Sequence, residues 1–152
     1  MDPFFIFPLP SFALQYSPNG DLCMDADKAY KILIVDDSDF SRSNISKMLD
    51  SKKYNIIGEA SNGSEAINSL KDRLPDIAII DIVMPGMSGF ELAKKISENF
   101  KDVMIIMISS LAQENIVIDA ISSGASDFLQ KPFTKETLVN SIEKLISNME
   151  EE

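Results

Sequence analysis

The sequence has 152 residues, 45% of them hydrophobic and 25% charged, which is a normal balance for one soluble globular domain with its own core. Its formal net charge of −10 argues against a nucleic-acid-binding surface, and the absence of histidine excludes histidine metal ligands and a histidine general base. A single cysteine, Cys23, permits no internal disulfide and no cysteine zinc site, and fits the reducing cytoplasm, where we expect the protein to act.

Residues 1–29 differ in composition from the rest of the chain, and we assign them to an N-terminal extension that does not join the core. Asp2 lies where a signal peptide carries positive charge, and prolines interrupt an apolar run that is too short to span a membrane. We therefore expect no membrane insertion. The alternative is an arm that docks on its own or a neighbouring molecule through four aromatic side chains, Phe4, Phe5, Phe7 and Phe12.

From residue 30 to the end, apolar runs alternate with amphipathic segments, and we assign residues 30–152 to one domain. Strands are predicted at residues 31–35, 55–60, 75–80, 103–108 and 126–130. Helices are predicted after them at residues 38–52, from the turn at 62–64 to Pro75, at 88–100 and 113–123, and from Thr134 onward. This alternation predicts an α/β fold of the (βα)5 type, a doubly wound parallel five-stranded sheet with right-handed crossovers. Because the last helix uses up the chain, we expect no C-terminal effector domain.

Acidic side chains follow two of the predicted strands at the point where each strand ends. Asp36 and Asp37 come directly after the first strand, and Asp81 comes directly after the third. The carboxyl ends of parallel strands meet at one edge of the sheet, where ligands bind. Three carboxylates gathered there repel one another unless a cation lies among them, and ligation by oxygen alone suits Mg²⁺.

Two further strands place a hydroxyl and an ammonium group at the same edge. The fourth strand ends in Ser109 and Ser110, and the fifth is followed by Lys131 and Pro132. A carboxylate nucleophile, an acidic metal site, a hydroxyl and an ammonium are the groups that transfer of a phosphoryl group to an aspartate requires. The pattern therefore predicts phosphoryl transfer to Asp81.

These motifs, taken in order, resemble the receiver domain of response regulators in two-component signalling. The matching stretches are Ile32–Ser38, Asp81–Gly89, Met107–Ser110 and Leu129–Phe133. Single motifs of this kind occur often by chance, whereas the ordered set at four strand ends is specific. Within the family, the chain is most similar to stand-alone regulators of the chemotaxis type. The resemblance implies a flavodoxin-like sheet with strand order 2-1-3-4-5.

The resemblance also implies which residues accept the phosphoryl group and hold the metal. Asp81 is the implied phosphoacceptor. Asp36 and Asp37 are the implied Mg²⁺ ligands together with Asp81 and the backbone carbonyl of Val83.

The remaining implied roles concern the switch and the lifetime of the phosphorylated state. Ser109 matches the switch hydroxyl, and Phe128 matches the aromatic side chain that moves with it. Lys131 is implied to pair with the phosphoryl group, and its peptide bond to Pro132 is implied to be cis. The family positions that tune hydrolysis of the acyl phosphate hold Val83 and Leu111, whose apolar side chains cannot orient an attacking water.

The function that follows from the resemblance is a phosphorylation-activated signalling switch rather than a turnover enzyme. Its expected partners are a sensor histidine kinase as phosphodonor and a downstream target protein such as the flagellar motor switch. We expect the protein itself to be a monomer or weak dimer.

Three alternatives remain open from the residues. The spacing of Asp37 and Asp39 fits a metal-dependent phosphohydrolase that uses an aspartyl phosphate, but that class has its nucleophile after the first strand and needs a cap. A flavin-binding flavodoxin-like module is disfavoured, since acids after the first strand would repel a phosphate. The third is a receiver-like scaffold that is not phosphorylated.

Overall fold

A computed structural model describes residues 15–16, 22–23, 29–111 and 113–150 of the chain. Near the N-terminus, the strands β1 (Gln15–Tyr16) and β2 (Leu22–Cys23) pair with each other in antiparallel fashion. They form a two-stranded sheet that is separate from the larger one. The aromatic arm that the sequence allows, with Phe4, Phe5, Phe7 and Phe12, lies outside the described residues, and the assignment of residues 1–29 to an extension stays a prediction.

Within the described residues, the larger sheet has five parallel strands, as the alternation predicts. The strands are β3 (Tyr30–Val35), β4 (Tyr54–Ala60), β5 (Ile77–Asp81), β6 (Met104–Ser109) and β7 (Asp127–Gln130). They lie in the order β4-β3-β5-β6-β7. Counted within this sheet, that is the predicted order 2-1-3-4-5, so the flavodoxin-like fold is confirmed.

Each strand of the larger sheet is followed by a helix. In this part of the chain the helices are α1 (Asp39–Met48), α2 (Gly63–Asp72), α3 (Gly89–Asn99), α4 (Glu114–Ser122) and α5 (Lys135–Glu150). No helix among the residues described is long and apolar enough to span a bilayer.

The middle of the sheet is buried on both faces, which is why its strands read as continuous apolar runs. Along β5, Ala78 and Ile80 pack into a core shared with α2, α3 and α4, whereas Ile77 and Ile79 pack into a second core shared with α1 and α5. Full burial of each isoleucine contributes about 1.5–3 kcal/mol relative to an exposed side chain. The two cores hold the end of β5, where Asp81 lies, in a fixed position.

Polar caps set the helix starts that the sequence predicts. The side chains of Ser38, Asn62, Ser88 and Thr134 each accept a hydrogen bond from the backbone N–H three residues later. At the other end of α4, Gly124 has a φ of +110°, the left-handed conformation that commonly follows a helix.

The first helix is shorter than predicted. The sequence pattern favours a helix to residue 52, but α1 ends at Met48. The Ser51 hydroxyl accepts a hydrogen bond from the Lys53 backbone N–H at 3.2 Å, which gives this segment a turn in place of helical pairing. The chain then enters β4 at Tyr54.

Candidate functional site

Three carboxylates meet at the carboxyl edge of the larger sheet. Asp36 and Asp37 follow β3, Asp81 ends β5, and these two strands are hydrogen-bonded neighbours. One oxygen of each carboxylate lies within 4.8 Å of the others. Asp36 and Asp81 are buried, whereas Asp37 is exposed to solvent. The structure therefore brings together the three acids that the sequence places at strand ends.

Lys131 extends its ammonium group into this cluster. Its Nζ lies 2.9 Å from Asp36 Oδ2 and 3.6 Å from Asp81 Oδ2. Its backbone N–H donates to the Ser109 carbonyl at 2.8 Å, and its peptide bond to Pro132 is cis, as the resemblance implies. Because Lys131 follows β7, its side chain reaches past β6 to contact residues of both β3 and β5.

Asp36 is held from two sides. One carboxylate oxygen accepts a hydrogen bond from the Ser38 backbone N–H at 2.9 Å, and the other accepts from Lys131 Nζ. Only 1% of the residue is exposed, so a charge in this position depends on such donors.

Asp81 is a buried carboxylate with a perturbed acidity. Burial raises the pKa of Asp81 to about 6, against the lowering effect of the Lys131 ammonium. The charge of Asp36 raises this pKa further, while the Val83 backbone N–H donates to the Asp81 carboxylate and lowers it. A pKa of about 6 leaves Asp81 mostly ionised at neutral pH, which is the form that acts as a nucleophile.

The donor set fits a hard divalent cation. All three clustered side chains offer oxygen, the ligand atom that Mg²⁺ prefers. Lys131 supplies one positive charge against the three negative charges of Asp36, Asp37 and Asp81. The cluster thus keeps a net negative charge that Mg²⁺ would balance. The Val83 carbonyl lies in the loop that leaves β5, and its part in metal binding stays a prediction.

Ser109 and Phe128 lie on the same face of the sheet. Ile108 pairs with Asp81, so Ser109 is one residue beyond Asp81 in register. Phe128 pairs with Met107, and Met107 and Ser109 project to one face because side chains alternate along a strand. Phe128 is half-buried against the core that contains Met107. Ser109 is fully buried, and its Oγ accepts a hydrogen bond from the Leu111 backbone N–H at 3.0 Å.

Val83 and Leu111 lie in the loops that follow β5 and β6. Their side chains are 57% and 47% exposed, respectively. The two positions at which the resemblance implies control of hydrolysis therefore carry apolar groups on the solvent side of the site.

Arg42 contacts the candidate site, although it is not among the site residues predicted from the sequence. Its side chain is only 14% exposed, and it donates to the backbone carbonyl of Asp36. It also pairs with Asp39 and Glu59. In the sequence, an arginine one turn into the helix that follows an acidic pair indicates such a contact. The ion pair with Glu59 is not visible there, because Glu59 lies next to Arg42 only when β4 pairs with β3.

The chain has extensive similarity to known proteins. Residues 32–143 match the model of the response regulator receiver domain. The chemotaxis protein CheY of Bacillus subtilis is 39% identical over 119 residues, which cover 78% of this chain and 99% of that protein. CheY of Thermotoga maritima is 38% identical over 115 residues, which cover 76% of this chain and 96% of that protein.

A solved structure agrees with these relatives. A chain of the CheX-CheY-BeF3-Mg+2 complex from Borrelia burgdorferi has a TM-score of 0.73 and 34% identity, and the match covers 77% of this chain and 89% of that chain. The family model spans all four sequence stretches from which the resemblance was inferred. Because the matched region also contains the whole five-stranded sheet except its first two residues, the chain belongs to the family of response-regulator receiver domains.

Proposed function

We propose that the protein is a phosphorylation-activated signalling switch that accepts a phosphoryl group on Asp81 in a reaction that depends on Mg²⁺. The observation that carries this proposal is the clustering of Asp36, Asp37 and Asp81 within 4.8 Å, with the Lys131 ammonium in contact with two of them. This arrangement supports the proposal that a nucleophile, a metal site and a fixed positive charge act together.

The proposed phosphodonor is a phosphohistidine of a sensor histidine kinase. A carboxylate oxygen of Asp81 attacks phosphorus, the new P–O bond forms as the P–N bond breaks, and the electrons of that bond stay on the imidazole nitrogen. Asp36, Asp37, Asp81 and the Val83 carbonyl would hold Mg²⁺, which would supply positive charge at the phosphoryl oxygens.

Two side chains of the neighbouring strands complete the proposed acceptor site. The Lys131 ammonium balances part of the negative charge on the phosphoryl group, in addition to the part that Mg²⁺ would balance. The Ser109 hydroxyl, which accepts from the Leu111 N–H in this structure, turns to donate to a phosphoryl oxygen. The charge of the bound phosphoryl group therefore draws Ser109 towards Asp81.

The proposed output is a change in the surface formed by α4, β7 and α5. Movement of Ser109 vacates space on the face of the sheet that Phe128 shares, and Phe128 follows into it. A phosphoryl group shifts this equilibrium only by its differential interaction with the two states. The Borrelia structure contains CheX, CheY, BeF3 and Mg²⁺ together, which supports both a metal site and partner docking in this chain.

The similarity to chemotaxis proteins favours a chemotaxis role with a flagellar motor switch as target. We further propose that the protein acts in the cytoplasm, as a monomer or weak dimer, without turning over a substrate.

The test is incubation with Mg²⁺ and a small acyl phosphate, with the intact mass and the consumption of donor followed together. The proposal predicts that about one phosphoryl group is incorporated per chain, without rapid multiple turnover of the donor. Asp102→Asn, at an exposed aspartate before β6, is the matched control and should behave as the wild type. Rapid turnover would instead favour the phosphohydrolase, and a chain that never gains a phosphoryl group would favour the scaffold.

A further inference from the structure

Arg42 is a partly buried charged residue beside the site, and phosphoryl transfer as proposed gives it no role. It lies in the first half of α1, and only 14% of its side chain is exposed. A guanidinium that is largely withdrawn from water needs hydrogen-bond acceptors or charge partners. The contacts of its guanidinium therefore indicate what it does.

The guanidinium of Arg42 joins three elements of the fold. Nη1 donates to the backbone carbonyl of Asp36 at the end of β3, and Nη2 pairs with the carboxylate of Asp39 at the start of α1. Nε lies 3.3 Å from Glu59 Oε1 on β4. A planar guanidinium can direct separate N–H donors to three acceptors in this way, whereas the ammonium of lysine cannot reproduce that geometry.

The contact with Asp36 bears directly on the metal site. The carbonyl that Arg42 binds belongs to the peptide unit that links Asp36 to Asp37. Because a peptide unit is planar, fixing its oxygen also fixes the direction in which the backbone enters Asp37. The Asp36 carboxylate is held by Ser38 and Lys131, whereas Asp37 is exposed and takes its position from the backbone.

We propose that Arg42 is a positioning residue for metal binding, which places the Asp37 carboxylate by holding the carbonyl of Asp36. The inference rests on the proposed Mg²⁺-dependent function. Charge alone would act in the opposite sense, since a cation beside the site repels Mg²⁺. Asp39 and Glu59 offset that charge, so the contribution of Arg42 is geometric.

The test is Arg42→Lys, which keeps the charge and removes the planar fork. Calorimetric titration should show a dissociation constant for Mg²⁺ about tenfold higher than that of the wild type, the usual cost of losing a residue that orients metal ligands. In the metal-free variant, the amide of Asp37 should exchange with solvent faster. Arg73→Lys, at the exposed arginine directly after α2, is the matched control and should bind Mg²⁺ like the wild type. Wild-type Mg²⁺ affinity in Arg42→Lys would overturn the inference.

A second variant separates the Asp36 contact from the ion pair on β4. Glu59→Gln leaves the bond from Arg42 to the Asp36 carbonyl in place and should keep the Mg²⁺ dissociation constant within about twofold of the wild type, because an exposed charge is screened. An equal loss of affinity in Glu59→Gln and Arg42→Lys would show that the ion pair matters rather than the carbonyl, and would overturn the inference.

Phosphorylation by a small acyl phosphate gives an independent measurement. Arg42→Lys should need about tenfold more Mg²⁺ for half-maximal rate but reach the wild-type maximum, whereas damage to the fold would lower the maximum itself. If Arg42→Lys weakens Mg²⁺ binding and no variant is phosphorylated, the proposed function fails and the role of Arg42 stands. If the wild type is phosphorylated and Arg42→Lys has an unchanged Mg²⁺ dependence, the function stands and the role of Arg42 fails.

Discussion

The proposed role of the Asp81 carboxylate and its buried position have opposite effects on its ionisation. As a proposed nucleophile it must be ionised, yet it lies in a buried site beside two other acids. Burial raises its pKa to about 6, with Lys131 acting in the opposite direction. The charged form of Asp81 therefore lowers the stability of the metal-free protein.

This conflict predicts that Asp81→Asn stabilises the metal-free protein at neutral pH. The folded pKa, about 6, is above the ordinary value of 3.8, so ionisation of Asp81 costs folding free energy as the pH rises through this window. A shift of this size corresponds to at most about 3 kcal/mol. Urea unfolding in the presence of a chelator should show the gain at pH 7.5 and little of it at pH 4. An Asp81→Asn protein no more stable than the wild type at pH 7.5 would contradict this account of the site.

Val83 and Leu111 should give the phosphorylated state a long lifetime. An aspartyl phosphate is hydrolysed when a water is held in line behind phosphorus, and the half-exposed apolar side chains at these positions offer that water no hydrogen bond. We expect Val83→Asn and Leu111→Glu to accelerate decay, up to the order of 10²-fold together.

The measurement is the decay of the phosphorylated protein after removal of the donor. Ile118→Asn is the matched control, because Ile118 is an exposed apolar side chain on α4 and is not one of the two positions. Decay of the wild type as fast as that of the polar variants would show that these positions do not set the lifetime.

At the scale of elements, β6 and β7 lie between the proposed acceptor site and the proposed output surface. Ser109 ends β6, Phe128 lies in β7, and both project to the face covered in part by α4. The hydrogen bond that Ser109 Oγ accepts from the Leu111 N–H joins the end of β6 to the residues directly after it. Coupling between the site and the surface should therefore pass through the serine hydroxyl.

We expect Ser109→Ala to be phosphorylated but poorly coupled to the surface of α4, β7 and α5. Alanine has no hydroxyl to donate to the phosphoryl oxygen, so no new hydrogen bond stabilises a movement of the residues after β6. Amide chemical shifts of the three elements, followed while beryllofluoride and Mg²⁺ are added, should change in the wild type and change little in Ser109→Ala. The exposed neighbour, in Ser110→Ala, should respond like the wild type. A full response in Ser109→Ala would rule out the hydroxyl as the link.

The elements also show what the sequence can and cannot predict. The apolar run of Ile77–Ile80 could be assigned to a buried strand because both of its faces are covered, and N-caps such as Ser38 act within one turn of chain. The early end of α1 could not be predicted, because the turn that follows it, with a hydrogen bond from the Lys53 N–H to the Ser51 hydroxyl, is not visible in the apolar pattern.

For the whole molecule, the unpredicted contacts are those that join distant parts of the chain. The Tyr54 hydroxyl donates to Glu143 Oε1 at 2.5 Å, and Lys53 Nζ lies 2.6 Å from the same oxygen. This contact ties β4 to α5 across 89 residues of sequence. Neither Tyr54 nor Glu143 stands out until the doubly wound topology places the two elements together, and the ion pair between Arg42 and Glu59 likewise depends on that topology.

The link between Tyr54 and Glu143 should contribute modestly to overall stability. Tyr54→Phe removes one hydrogen bond but leaves the carboxylate of Glu143 with Lys53, so we expect the free energy of unfolding to fall by about 0.5–1.5 kcal/mol. Chemical denaturation measures this loss, and Tyr54→Phe should retain Mg²⁺ affinity because it lies at the opposite end of the strands from the acids. Unchanged stability would mean that the hydroxyl is equally well hydrated in the unfolded chain.

The account as a whole depends on which residue receives the phosphoryl group. The most direct measurement is reduction of the phosphorylated protein with borohydride, which converts an aspartyl phosphate to homoserine, followed by tandem mass spectrometry of the fragment from Leu74 to Lys94. That fragment contains both Asp76 and Asp81. The account predicts homoserine at position 81 alone, formed only when Mg²⁺ is present. Homoserine at position 76, homoserine at position 36 or 37 in the separate fragment from Ile32 to Arg42, or equal labelling of Asp81→Asn, would contradict it.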